Sequence, residues 1–439
     1  MALKVKLFSL FILVLFSVSN TFQDTSRLSP GLPTHIISMN LDDYREYIKT
    51  HPLLDRLSAS GDQLVFLVNK EDIDRIKKSG IKITGQIPLP VSPPGLSRQQ
   101  EAGDVNGRFH NYRETEEFLL DLGNQYPDLA EVFSIGQSIE GREIYMIKIS
   151  DNVHLEEEEP NVYFVGCHHA REWISVEVPL LFARHLLEHY PDNPEVQRVV
   201  NGAQIYILPL LNPDGLEFSI HVYRWWRKNR RYNGNYTWGV DLNRNYDYFW
   251  GYDDIGSSPD PRRDGYRGLS PFSEPESSAY QQFLLAHPPA GAITYHSFTQ
   301  TIMYPWGYTT GPAPDAAEMQ EIARQMSERI FPVNGRTYLY GTGPELLYLT
   351  NGDHDDWIYG TFGAPSYTIE LPAPNYLSGA FFVPEEEIDL SFNENLPAML
   401  YFANYFITKR GWHPHPIHGQ SDAVLSGRHL KSLSLRRKK

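Results

Sequence analysis

His169 and Glu172 stand three residues apart in Gly166-Cys167-His168-His169-Ala170-Arg171-Glu172-Trp173, directly after an apolar run, Val162-Tyr163-Phe164-Val165, that reads as a buried strand. With a second imidazole far downstream, His296, they would make a three-ligand set with an open position, the coordination of catalytic rather than structural zinc. Such a centre lowers the pKa of bound water to about 7, so the chemistry on offer is hydrolysis. Glu370, at the end of the strand-like run Tyr367-Thr368-Ile369-Glu370, is a carboxylate that could serve as the base.

The short pattern alone says little, because His-x-x-Glu occurs three times: His154/Glu157, His185/Glu188 and His169/Glu172. The first lies in an acidic loop and the second has ordinary helix-surface spacing. The third stands where a strand gives way to a helix, the edge where open α/β sheets place their sites. Cys167 beside it is either a thiolate ligand or a small buried hydrophobe, and its place at the end of a buried strand favours the latter.

The elements that must position these groups come from a chain of 439 residues, 41% hydrophobic and 21% charged, enough for a large core and an accessory domain. A net charge of -15 argues against a nucleic-acid partner, which needs a basic face. Residues 1–19 place Lys4 and Lys6 before an apolar run and end in Ser17 and Ser19, which predicts a secretory signal peptide and a secreted or periplasmic protein. A membrane anchor is the competing reading, and the run is short of the roughly 20 residues a span needs. One cysteine leaves no intramolecular disulfide.

Residues 20–87 read as a small α+β domain, with strands at 35–39, 63–68 and 81–84 and helices at 42–50 and 71–79. A proline-rich stretch at 88–106 reads as an exposed linker and protease target. Residues 107–410 form the main domain. There, strands such as 143–149, 161–166, 204–208 and 292–295 alternate with helices such as 114–125, 174–189, 274–286 and 315–330. That alternation predicts an α/β fold with a mixed, largely parallel central sheet and helices on both faces. The tail, 411–439, is basic and reads as poorly ordered.

Further motifs follow in order: Arg224-Trp225-Trp226-Arg227-Lys228-Asn229-Arg230, Asp241-Leu242-Asn243-Arg244-Asn245-Tyr246, Tyr295-His296-Ser297, Tyr348 with Asp355-Asp356-Trp357, and Tyr367-Thr368-Ile369-Glu370-Leu371. Across 107–410 the chain resembles the zinc metallocarboxypeptidases of the carboxypeptidase A/B type, and within them bacterial carboxypeptidase T. The resemblance implies one Zn²⁺ held by His169, Glu172 and His296. It makes Glu370 the general base and Arg227 the group that polarises the scissile carbonyl. Asn243 and Arg244 would bind the substrate's terminal carboxylate, Tyr348 would close over it, and Arg171 would assist its entry.

The residue before the Asp-Trp pair lies, in that family, at the base of the pocket for the departing side chain. Asp355 there, with Asp353 nearby, implies a preference for C-terminal Arg and Lys with room for apolar residues as well, since a buried carboxylate seeks a counter-charge. Structural donors or a metal ion are the competing partners for these aspartates. The segment before the linker sits where the family carries an inhibitory propeptide, implying a zymogen cut after Arg98 or Arg108 by an activating protease. The expected partners are peptide and protein C-termini, met by a monomer.

Two other readings stay open. A zinc amidohydrolase acting on a non-peptide or cell-wall amide would use the same metal and base with another pocket. A non-catalytic peptide-binding protein would keep only the fold. Substrate panels separate the first, and a chelator with Glu370→Gln separates the second.

Overall fold

The computed structural model describes residues 35–48, 54–60, 63–88, 105–373 and 381–409. The signal-peptide reading of residues 1–19, most of the linker and the basic tail lie outside the described residues.

The N-terminal unit is a four-stranded antiparallel sheet in the order β2-β3-β1-β4, built from β1 (His35–Asn40), α1 (Leu41–Ile48), β2 (Asp55–Ser60), β3 (Gln63–Val68), α2 (Lys70–Lys78) and β4 (Gly85–Pro88). Strand periodicity sorts its side chains. Ile37, Met39, Leu64, Phe66 and Val68 form its own core with Ile73 and Ile76 of α2, whereas Ile36, Val65 and Leu67 point the other way. The fourth strand sits later than the 81–84 predicted. Ile81 and Ile83 pack against the small core, and the ladder with β1 runs from Gly85, after Thr84 N–H has already reached Ser38 O at 2.7 Å.

The main domain is an eight-stranded mixed sheet, ordered β13-β12-β14-β11-β7-β8-β6-β5. After α3 (Tyr112–Gln125) come β5 (Ala130–Gln137), β6 (Glu143–Ile149) and β7 (Asn161–Val165), then α4 (Ile174–His189), α5 (Pro194–Val200), β8 (Gln204–Leu208) and α6 (Pro213–His221). A short hairpin, β9 (Tyr232–Gly234) and β10 (Thr237–Trp238), precedes α7 (Pro275–Ala286), β11 (Gly291–Ser297) and β12 (Thr301–Tyr304). Then follow α8 (Ala316–Asn334), β13 (Leu339–Thr342), α9 (Gly343–Leu346), α10 (His354–Phe362), β14 (Ser366–Leu371) and α11 (Glu386–Thr408). The centre, β14-β11-β7-β8, is parallel; β12-β14, β8-β6 and β6-β5 pair antiparallel on either side, and the edge pair β12-β13 is parallel again.

Both faces are covered, as near-continuous apolar strands require. On β7, Phe164 meets Phe182 of α4 and Phe402 of α11, while Tyr163 on the other face meets Tyr280 and Phe283 of α7. Tyr163 belongs to the same face as Thr294 and His296 of β11 and, through the ladder, as Thr368 and Glu370 of β14. That face carries the site. No helix among the described residues is long and apolar enough to cross a membrane.

Candidate active site

The chain leaves β7 through a tight turn. Gly166 has no room for a side chain: a β carbon there would lie 2.3 Å from Ser175 O and 2.5 Å from Pro209 O. Cys167 follows with a positive φ of 55°. Its N–H reaches Ser175 Oγ at 3.2 Å, while Ser175 Oγ donates to Glu172 O at 2.6 Å, folding 166–173 onto the start of α4. The turn aims His169 and Glu172 into a cleft. Cys167 stays in the core with its thiol pushed well up by burial, and it is not among the three residues that converge.

Those three are His169, Glu172 and His296, with ligand atoms all within 4.8 Å of one another. Glu172 Oε1 lies 2.9 Å from His169 Nδ1, and Glu172 Oε2 lies 2.9 Å from His296 Nδ1. The two Nδ1 atoms face each other at 3.0 Å, a contact that at most one proton can bridge and that a shared cation satisfies. Burial opposes the charge on Glu172, but His169 and His296 hold its carboxyl below the ordinary range. Two imidazoles and a carboxylate in a buried cleft are the donor types that zinc takes, so the residues fit the ion. The other two His-x-x-Glu pairs take no part in this group.

Asp241 organises the surroundings. Its Oδ1 is 3.1 Å from His169 Nε2 and accepts from Asn243 N–H at 2.9 Å; its Oδ2 accepts from Arg227 Nε at 3.0 Å and Nη2 at 2.9 Å. The bond to Nε2 leaves Nδ1 of His169 as the lone-pair atom, as carboxylate partners of ligating histidines do. Burial works against the Asp241 charge, yet Arg227, His169 and Arg244 together hold its carboxyl well below the ordinary value. Sequence reading quoted Asp241 and gave it no role. Its signal was present: an aspartate two residues before Asn243 caps the short turn 242–244.

Glu370 is brought beside His296 by the β11–β14 ladder, which pairs the two positions. Its Oε2 is buried without a protein partner among the described residues. Burial, then the nearby Glu172 charge, push its carboxyl up to about 8, against the pull of Arg227.

Arg227 Nη1 lies 3.9 Å from Glu172 Oε1. Arg171 is tied to Asp264 at 3.3 Å and covered by the Phe381 ring at 4.3 Å. The Asn243 carboxamide is oriented by His354 N–H, which donates to Oδ1 at 2.9 Å and leaves Nδ2 toward His296 Nε2 at 3.4 Å. Arg244 donates to Asn243 O at 2.6 Å and stands 6.0 Å from the Tyr348 ring.

The three converging residues line, with Glu370, Arg171, Arg227, Asn243, Arg244 and Tyr348, one cavity of about 290 Å³ that also reaches Asp353, Asp355 and Asp356. Asp353 caps α10 through Asp356 N–H at 2.9 Å and takes the Thr350 hydroxyl. Asp356 accepts from Gly307 N–H at 2.8 Å and Tyr308 N–H at 3.0 Å. Asp355 is held by Ser366 and Thr368 of β14, at 2.7 and 2.6 Å, partners the sequence did not reveal. Structural donors are thus present for all three. Even so, burial and mutual repulsion raise the carboxyls of Asp353 and Asp356, and among the described residues no lysine or arginine forms an ion pair with any of the three.

A zinc carboxypeptidase family model matches residues 115–398. Human carboxypeptidase B2 is 30% identical over 86% of this chain and 89% of its own length. Carboxypeptidase B of Astacus astacus is 31% identical over 68% of this chain and 96% of its own. The crystal structure of a carboxypeptidase A from Helicoverpa armigera matches with a TM-score of 0.71 at 26% identity, covering 87% of this chain and 99% of that one. With the family matched across the whole cleft-bearing domain and a His-Glu-His group in place for its catalytic Zn²⁺, the chain belongs to the zinc carboxypeptidase family and is a zinc metallocarboxypeptidase.

Proposed function

We propose that this is a secreted, monomeric enzyme, made as a zymogen, that removes C-terminal residues from peptides and proteins and prefers Arg and Lys. When bound by His169, Glu172 and His296, zinc supplies a Lewis acid and a water of lowered pKa. Glu370 takes a proton from the attacking water and passes it to the departing amine. Arg227, locked by Asp241, faces the oxygen on which negative charge develops; as a fixed cation it needs no reorientation during the reaction. Asn243 and Arg244 hold the terminal carboxylate by directed N–H donors. Tyr348 closes over it, and Arg171 meets the carboxylate on entry.

The preference rests on one observation: three aspartates share the cavity, and among the described residues no arginine or lysine forms an ion pair with them, Arg244 easing the charge on Asp353 only from a distance. A cationic side chain entering there supplies the missing charge. Matched peptides ending in Lys, Arg, Leu, Phe and Glu, assayed with and without a zinc chelator, test this. The expected result is loss of all hydrolysis on chelation and a Lys-to-Leu ratio of kcat/KM above about 10, the worth of one good charge contact. Asp355→Ile should bring that ratio toward 1. An unchanged ratio removes Asp355 from the pocket.

Latency is supported by where the N-terminal sheet lies. Ile36, Val65 and Leu67 form one apolar cluster with Trp225, Phe298 and Phe381, and both phenylalanines line the cavity. Arg263 pairs with Asp72, and Arg262 lies 3.6 Å from Glu71. Cleavage after Arg98, outside the described residues, or after the exposed Arg108 would release the unit. A trypsin-nicked sample should hydrolyse a Lys-ended peptide faster than the intact chain. Equal rates would mark a permanent accessory domain.

A further inference from the structure

Asp355 Oδ1 accepts from Ser366 Oγ at 2.7 Å and lies 3.1 Å from His354 Nδ1, and Oδ2 accepts from Thr368 Oγ1 at 2.6 Å. A hydroxyl donates or accepts, so Ser366 and Thr368 suit a neutral carboxyl as well as a carboxylate. The imidazole removes that ambiguity, because its proton is placed from behind. His354 Nε2 lies 3.3 Å from the Tyr280 hydroxyl, with the two rings stacked 5.8 Å apart. Both side chains are fully buried, and neither lines the cavity.

Among the described residues the Tyr280 hydroxyl has no acceptor besides His354 Nε2. Leaving a buried O–H without an acceptor is costly, so the phenol donates to Nε2. Nε2 then carries no proton, and the ring proton sits on Nδ1. From there it is donated to Asp355 Oδ1 at 3.1 Å, nearer than Ser366 Oγ at 3.5 Å, and Oδ1 becomes an acceptor twice over. Such a bond is stronger to a carboxylate than to a neutral acid. The backbone of His354 is fixed as well, through its N–H to Asn243 Oδ1 at 2.9 Å.

We propose that Tyr280 and His354 are positioning residues that fix Asp355 as a hydrogen-bond acceptor and so set the preference for a cationic departing side chain. The proposal rests on the reading of Asp355 as the base of the specificity pocket. Neither residue touches the substrate; the hydroxyl sets the tautomer, and the tautomer sets what Asp355 presents to the cavity.

The test is the Lys-to-Leu ratio of kcat/KM for the zinc-loaded enzyme, compared among wild type, Tyr280→Phe, His354→Leu, His354→Asn and Asp355→Asn. His354→Leu should lower the ratio about tenfold, the size of one hydrogen bond to a charged group. Tyr280→Phe, which frees the ring to change tautomer, should lower it about threefold on the same scale. His354→Asn, which restores an N–H near the Nδ1 position, should recover much of it. General damage to fold or zinc binding slows both peptides together and leaves the ratio where it was. If Asp355→Asn abolishes the Lys preference while Tyr280→Phe and His354→Leu leave it intact, the proposal fails alone. If wild type shows no Lys preference, or Asp355→Asn leaves it unchanged, the pocket reading fails and this proposal with it. Should His354→Leu not fold, Tyr280→Phe decides.

Discussion

Glu370→Gln is expected to lower kcat/KM by about 10²- to 10⁴-fold, the range for removal of a positioned general base, with zinc content unchanged. The substitution keeps the size of the side chain and leaves His169, Glu172 and His296 untouched, so metal analysis and kinetics should separate cleanly. Loss of zinc together with activity would make Glu370 a structural residue instead. A second readout follows from its carboxyl being pushed up to about 8 by burial and by Glu172. Between the ordinary carboxyl value and about 8, the metal-free folded chain binds a proton there that the unfolded chain does not. Its stability therefore falls as pH rises through that window. Metal-free Glu370→Gln should melt above metal-free wild type at pH 8 to 9, and the gap should close as pH falls toward 4. A constant gap would assign the effect to packing.

Asp241→Asn should damage two functions at once. A carboxylate accepts from His169, Arg227 and the Asn243 N–H together, whereas the amide NH₂ must face one of them as a donor. If it faces His169, zinc affinity should fall about 10- to 100-fold, the usual cost of losing a ligand's hydrogen-bond partner. If it faces Arg227, kcat/KM at saturating zinc should fall about 10²- to 10³-fold, as when one oxyanion donor is lost. Competition with a chromogenic chelator and kinetics at saturating zinc read the two separately. Wild-type values in both would dismiss Asp241 as an organiser. The stability effect has a defined sign. Arg227, His169 and Arg244 outweigh burial and hold the Asp241 carboxyl well below its unfolded value. Its contribution is thus complete above that unfolded value and disappears as pH falls toward the folded one. The variant should melt below wild type at pH 7 and approach it in acid.

Much of this architecture was legible because local pattern carried it. Val162 to Val165 is apolar without interruption because helices cover both faces of β7. The start of α3 is written in Asn111 and Glu114, which cap each other's N–H groups, and it lies two residues before the 114 expected from the pattern. Ile81 and Ile83 misled because alternation reports burial, and here burial came without ladder pairing. β2 was missed because Asp55–Ser60, Asp-Arg-Leu-Ser-Ala-Ser, is polar, as an edge strand can be. In the cleft, residue types at motif positions were readable, but partners remote in sequence were not. Tyr280 and His354 are 74 residues apart, and His169 and Asp241 are 72 apart. Such pairs meet through the packing of helices and turns on the sheet, while strand register pairs His296 with Glu370.

That register has a further meaning on β14, where Ser366, Thr368 and Glu370 share one face. Thr368, which grips Asp355, and Glu370 are two residues apart, about 6.6 Å at the usual rise of a strand. On the proposed roles, the strand is a ruler laid between the place where a side chain is recognised and the place where a bond is cut. Because the marks are covalently spaced on one backbone, their separation does not depend on how loops settle. On the proposed reading, changing Ser366 or Thr368 is expected to alter which residue is removed, while Asn243 and Arg244, on another segment, keep the cut at the terminal bond.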